Sequence, residues 1–142
     1  MIVIEFEPFH AELIHVKYEQ LGEMPHFIDM MESLNNTYAW SGVEDGQVIA
    51  CGGMVPLHPG CGDIWALFSD DFKHHKVEAL KALKLHIDNL QNQGYERLQT
   101  TVLSNYKIGK RFVEWLGFKN EGTMRKYIDG VDYDRYAKIR GE

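Results

Sequence analysis

Cysteine is scarce in this sequence of 142 residues: Cys51 and Cys61 are the only two, too few for a disulfide scaffold. They read as reduced thiols. No apolar run approaches the about 20 residues of a membrane-spanning helix. The opening Met1-Ile-Val-Ile-Glu-Phe-Glu lacks a basic region and is interrupted by acids, so it does not read as a signal peptide. Positive charge is in deficit, with 15 Lys+Arg against 21 Asp+Glu and a formal net charge of −6. That balance argues against a partner such as duplex nucleic acid. Repeats, linkers and low-complexity tracts are absent. What is present is a globular composition, 44% hydrophobic and 25% charged. The expectation is one cytoplasmic domain over residues 1–142, with no membrane partner.

Periodicity divides the chain into elements. Ile2, Ile4 and Phe6 alternate with Val3, Glu5 and Glu7 as a strand, which Pro8 ends. Helical spacing follows from His10 to Leu21 and again through Phe27, Met30, Met31 and Leu34. Thr37 to Val43 and Gln47 to Cys51 flank Asp45-Gly46, a hairpin signal, and the second arm continues to Pro56. A loop with two prolines and two glycines leads into the apolar run Asp63 to Phe68. The longest helix starts near His74, with Val77, Leu80, Leu83, Ile87 and Leu90 as its stripe and Gly94 as its stop. Arg97 to Leu103 is a strand. Ile108, Phe112, Trp115 and Leu116 mark a helix that stops at Gly117-Phe118 in a Schellman-type contact. Strands from Gly122 to Ile128 and from Tyr133 to Arg140 close the chain around Asp129-Gly130. The order predicts an α/β (mixed α+β) fold, a mixed sheet of about seven strands with about four flanking helices.

That order, with Asn105, Gly117-Phe118 and Glu121-Gly122 at their spacing, resembles the GNAT superfamily of acyl-CoA-dependent N-acetyltransferases. The likeness in element order spans nearly the whole chain, and the residue-level match lies after Thr100. Two departures stand out. The family's turn Arg/Gln-x-x-Gly-x-Gly/Ala is replaced by Asp70-Asp71-Phe72-Lys73-His74-His75-Lys76-Val77-Glu78, without glycine. The family's tyrosine acid is replaced by Phe112 or Val113, depending on the reference point. A turn so poor in glycine is similar to divergent, bacteriophage-encoded GNAT-like proteins, including the internal virion protein A family.

The resemblance implies acetyl-CoA as cosubstrate and a primary amine as acceptor, a small molecule or a protein. Pantetheine is expected along Ala66, Leu67 and Phe68, with Asn105 facing it, although Asn105 equally suits a helix N-cap. The pyrophosphate is expected at Lys73, His74, His75, Lys76 and Val77, where free N–H groups and basic side chains would meet it; the alternative is a solvated basic turn. The general base is assigned to Asp63, with His58 and Glu44 as weaker candidates, and a phenolic acid to Tyr106, which equally reads as a core residue. Acidic residues Glu23, Asp29, Glu32, Glu44 and Asp45 suit a cationic acceptor. Cys51, His58 and Cys61 match no zinc spacing, so no metal is expected, and Cys51 has no nucleophile signature. A homodimer through the late strands would draw on Tyr127, Tyr133 and Tyr136. The opposing reading is a catalytically inactive GNAT-fold structural or partner-binding protein, in host cytoplasm or a virion.

Overall fold

The computed structural model describes residues 1–14 and 38–142. In chain order these form β1 (Ile2–Glu5), α1 (Pro8–Leu13), β2 (Tyr38–Glu44), β3 (Gln47–His58), β4 (Cys61–Phe68), a 3-10 helix (Asp70–His75), α2 (Lys76–Asn92), β5 (Arg97–Leu103), α3 (Lys107–Trp115), β6 (Lys119–Ile128) and β7 (Val131–Ile139). The seven strands make one mixed sheet, ordered β1-β2-β3-β4-β5-β7-β6. Three α-helices stand among the described residues, one fewer than expected; the helix expected over Phe27 to Leu34 lies outside them. Among the described residues no helix is long and apolar enough to cross a membrane. The chain gathers into two compact units, Met1–Val55 with Ile64–Lys76, and Pro56–Asp63 with Val77–Glu142.

In the first unit the β2–β3 hairpin turns at Asp45 (φ 50°) and Gly46 (φ 76°), the pair of left-handed residues that the Asp-Gly signal predicts. Ile14, Cys51, Trp65 and Leu67 form the core, with Phe6, Ala39, Val48 and Val55 packed against it. Gly53 is needed for close strand approach, because a Cβ there would lie 2.5 Å from the Tyr38 carbonyl oxygen. Pro8, expected only to end a strand, opens α1, where its missing N–H leaves nothing unpaired. The Glu7 N–H donates to His10 Nδ1 at 3.1 Å and ties the turn together. All four residues of β1 are exposed, because this strand lies at the sheet's edge with β2 as its one neighbour.

The second unit is built on β5, β7 and β6, paired antiparallel, with β4 parallel to β5 over Cys61↔Arg97, Gly62↔Leu98 and Asp63↔Gln99. The expected proline- and glycine-rich loop is instead a tight turn: β3 runs through Pro56 to His58, and the chain reverses over Pro59-Gly60 with Gly60 at φ 79°. Helix α2 buries Ala79, Leu80, Ile87, Leu90 and Gln91, whereas Val77, expected on that stripe, is 67% exposed. Helix α3 ends as its sequence predicts. Gly117 (φ 101°) donates to Glu114 at 3.0 Å and Phe118 donates to Val113 at 3.0 Å, the two bonds of a Schellman motif. Ile108 and Trp115 of its apolar stripe are nevertheless exposed, and Lys84 Nζ lies 5.5 Å from the Trp115 ring centroid. Tyr133 and Tyr136, expected to offer dimer contacts, lie on opposite faces of β7 and are each 1% exposed, and Tyr127 alone of the three is exposed.

Asp134 is the polar centre of this unit. Its Oδ1 accepts from Ser104 Oγ (2.7 Å) and Thr123 Oγ1 (2.8 Å), and its Oδ2 accepts from Asn120 Nδ2 (2.9 Å) and Lys110 Nζ (2.8 Å). Burial pushes this carboxyl upward, but Lys110, Ser104, Asn120 and Thr123 together hold it well below the usual carboxylate range. Replacing Asp134 by Ala leaves a half-buried ammonium and three donors unmatched. Urea unfolding of the variant is expected to show a loss of about 3–5 kcal/mol; a loss within about 1 kcal/mol would show that water replaces the carboxylate.

Candidate functional site

Residues paired across strands share a face of the sheet. The registers Asp63↔Gln99, Gln99↔Ala137 and Thr101↔Arg135 therefore put Asp63, Gln99, Thr101 and Arg135 on one face. Leu98, Thr100, Val102, Asp134 and Tyr136 take the other, buried face.

On the first face two arginines meet different company. Arg97 forks onto Glu121, Nη1 to Oε2 at 3.0 Å and Nη2 to Oε1 at 2.6 Å, and its Nε donates to Gln99 Oε1 at 2.9 Å. The bonds from Arg97 hold the Glu121 carboxyl below its ordinary value. Arg135 Nη1 stands 3.8 Å from Asp63 Oδ1, and its Nη2 donates to the Met124 sulfur at 3.6 Å. Asp63 Oδ1 is closed to solvent and accepts no hydrogen bond from the described residues, while the side chain as a whole keeps 39% of its exposure. Burial raises the Asp63 carboxyl to about 6, against a smaller downward pull from Arg135. A carboxyl tuned to that range and still partly open can take a proton near neutral pH.

The other expected site residues are distributed over both units. In the first, Ala66 and Phe68 are half-buried on β4 while Leu67 fills the core. Phe68 stacks on Phe72 with ring centroids 4.3 Å apart. The helical path opens at Asp70 behind Ser69, not near His74 as expected. Lys73, His74 and His75 are inside the 3-10 helix and Lys76 begins α2. Their backbone N–H groups thus belong to the helical ladder and not to its open end. His75 Nε2 lies 3.8 Å from Glu44 Oε2, which also meets the Met1 ammonium at 2.5 Å, so Glu44 is engaged in ion pairs.

In the second unit Val77 is exposed, His58 is exposed at the end of β3, and Asn105 is exposed in the turn after β5. The N-cap of α3 is Tyr106, not Asn105, which corrects that structural alternative. The Tyr106 ring folds over Gly109, where a Cβ would come within 2.6 Å of it. Asp63 is level with Gln99, four residues, or about 13 Å of strand, from the Leu103 end where Asn105 and Tyr106 lie. Asp63 and Tyr106 are not brought together. Glu23, Asp29 and Glu32 lie outside the described residues.

Among the described residues no three His, Cys, Asp or Glu side chains gather to hold a metal. Cys51 and Cys61 are buried free thiols. Ser41 Oγ lies 2.8 Å from His10 Nδ1 and donates to Cys51 Sγ at 3.7 Å, a link that the sequence did not suggest. Burial pushes the Cys51 thiol up to about 11 despite the Ser41 bond, which disfavours a nucleophilic thiolate. Arg135 was also missed. Its signal is weak: an arginine on a strand, alternating with the inward Asp134 and Tyr136.

No family model and no curated protein matches the sequence. Solved structures do. The ribosomal-protein-alanine N-acetyltransferase from Brucella melitensis superposes with a TM-score of 0.71 at 11% identity, covering 98% of this chain and 99% of that one. A GNAT-family acetyltransferase from Bacillus anthracis gives 0.71 at 16% identity, covering 99% and 95%. A ribosomal L7/L12 α-N-protein acetyltransferase in complex with coenzyme A gives 0.72 at 11%, covering 96% and 92%. The chain has the fold of the GNAT acetyltransferases, as the element order led us to expect. At these identities the likeness establishes the fold.

The raised Asp63 carboxyl has a measurable consequence. Between its ordinary 3.8 and about 6, the folded chain holds a proton that the unfolded chain has released, so stability falls as pH rises through that window. Asp63→Asn removes the titration. Thermal unfolding from pH 4 to pH 8 should show the variant gaining on the wild type until about pH 6–7 and then levelling. A constant difference would mean that Asp63 titrates normally.

Proposed function

We propose that this protein is an acetyl-CoA-dependent N-acetyltransferase that moves an acetyl group to a primary amine. The observation that carries the reading is Asp63: a carboxyl raised to about 6, with one oxygen lacking a hydrogen bond, on a GNAT-type β4. Asp63 takes a proton from the acceptor ammonium and passes it to solvent. The amine lone pair then attacks the thioester carbonyl, the C–N bond forms, the C–S bond breaks, CoA leaves as thiolate, and the nitrogen gives its surplus proton to solvent. A thiolate is a tolerable leaving group that water can protonate, so the distance from Asp63 to Tyr106 does not bar turnover. Tyr106 is retained as the candidate acid.

Backbone groups of Ala66, Leu67 and Phe68 are assigned to pantetheine, with Asn105 beside it. The pyrophosphate is assigned to Lys73, His74, His75, Lys76 and Val77. Because the N–H groups there belong to the helical ladder, the basic side chains carry that contact, and salt should weaken it. A similar structure in complex with coenzyme A supports the cosubstrate. Use of acetyl-CoA suits a cytoplasmic protein. A second reading, an inactive partner-binding module of bacteriophage type, draws on the glycine-free helical turn at Asp70–His75.

Thermal shift with acetyl-CoA, CoA and dephospho-CoA separates the two. The enzyme reading expects a rise in Tm that grows with ligand concentration; no shift at millimolar ligand overturns it in favour of the module. Given turnover, Asp63→Asn should lower kcat by about 10²–10⁴-fold while acetyl-CoA affinity stays within about twofold. The wild-type rate should rise with pH through about 6, the value to which Asp63 is raised. An unaltered rate in the variant would remove Asp63 as the base.

A further inference from the structure

We propose that Asp63 and Arg135 form a clamp for a zwitterion, so that the acceptor is a free α-amino acid or a close analogue, with its carboxylate on Arg135 and its amine at Asp63. The inference rests on the acetyltransferase reading for the use made of the amine, but its geometry stands apart from it. Asp63 and Arg135 share one face, with Nη1 and Oδ1 3.8 Å apart, too far for a hydrogen bond. Arg135 keeps 20% side-chain exposure and has five N–H donors, yet its one hydrogen bond among the described residues goes to a thioether, a weak acceptor. Glu121 is close enough to feel the charge of Arg135, but both its oxygens are held by Arg97. On the other side, Asp63 Oδ1 is shut from water without a donor. A cation and an anion thus form a loose ion pair with no hydrogen bond between them.

An α-amino acid supplies both partners from one carbon atom. Its planar carboxylate matches the guanidinium fork, and its ammonium donates to Asp63. A phosphate in the same place would bring two negative charges against Asp63, which disfavours it. A carboxylate on Arg135 also cancels the positive charge that eases ionisation of Asp63, leaving Asp63 readier to accept the ammonium proton. A protein N-terminus offers the amine but an amide in place of the carboxylate, so it fills half of the clamp.

The test pairs each amino acid with its decarboxylated and esterified forms: L-phenylalanine with phenethylamine and the methyl ester, L-lysine with cadaverine, L-methionine with 3-(methylthio)propylamine. Acetyl transfer by the wild type should favour the free amino acid within each set by about 10- to 100-fold in kcat/KM, the range of one charge-assisted contact. Arg135→Gln should collapse that ratio, and Arg135→Lys, which keeps charge without the fork, should retain part of it. Equal rates within every set overturn the clamp and leave the acetyltransferase reading standing. If no amine is acetylated, the acetyltransferase reading falls, and calorimetric titration of the wild type with the same compounds decides the clamp alone. Tighter binding of the amino acid than of its amine and ester supports it, and indifference overturns it.

Discussion

The buried carboxylate of Asp134 has to be matched on both oxygens, and the segments that match it are the ones that frame the candidate site. Ser104 follows β5, Lys110 is on α3, and Asn120 and Thr123 are on β6. An unmatched buried carboxylate costs several kcal/mol, so these segments are tied to β7 in one arrangement. Successive strand residues point to opposite faces. Fixing Asp134 on the buried face therefore fixes Arg135 on the other, toward Asp63. The anchoring of β7 and the placement of Arg135 thus meet in one dipeptide.

Asp134 and Asp63 are the same residue type in opposite states. Both are taken partly out of water, which by itself raises a carboxyl. Four donors reverse the effect at Asp134, whereas Asp63 has an arginine 3.8 Å away and no hydrogen bond to Oδ1. The two arginines divide in the same manner. Arg97 is engaged by Glu121 and Gln99 and holds β5 to β6, while Arg135 has one soft contact. A group with all its partners in place supports the fold. A group that lacks them retains the capacity to bind or to exchange a proton.

Local signals were legible wherever the chain decides its conformation over a few residues. Asp45-Gly46, Gly117-Phe118 and the strand Arg97 to Leu103 each act locally, and each has the form that the sequence implies. Proline was read too simply. Pro8 lacks a donor that the first turn of a helix does not use, and Pro56 lies inside a strand that continues to His58. The stripe of α2 includes Val77 by spacing, but that residue is on the first turn, ahead of the part of the helix that is buried. Asp63 was legible as the acid at the head of the central strand. Its partner was not, because β7 reaches β5 only through the sheet order, and 72 positions of sequence separate Asp63 from Arg135 (135 minus 63).

The sheet also explains why Asp63 and Arg135 stay apart. β4 and β7 flank β5 on opposite sides, so their backbones are two strand spacings, about 10 Å, from one another. Arg135 is level with Thr101 and Asp63 with Gln99, a further offset of two residues along β5. Opposite Gln99 on β7 is Ala137, too short to fill the space above β5. Arg135 must therefore extend diagonally across β5 to approach Asp63, and Asp has one methylene with which to answer. At 3.8 Å the two form an ion pair without a hydrogen bond. Backbone pairing thus sets the diagonal that the Arg135 side chain has to span to reach Asp63.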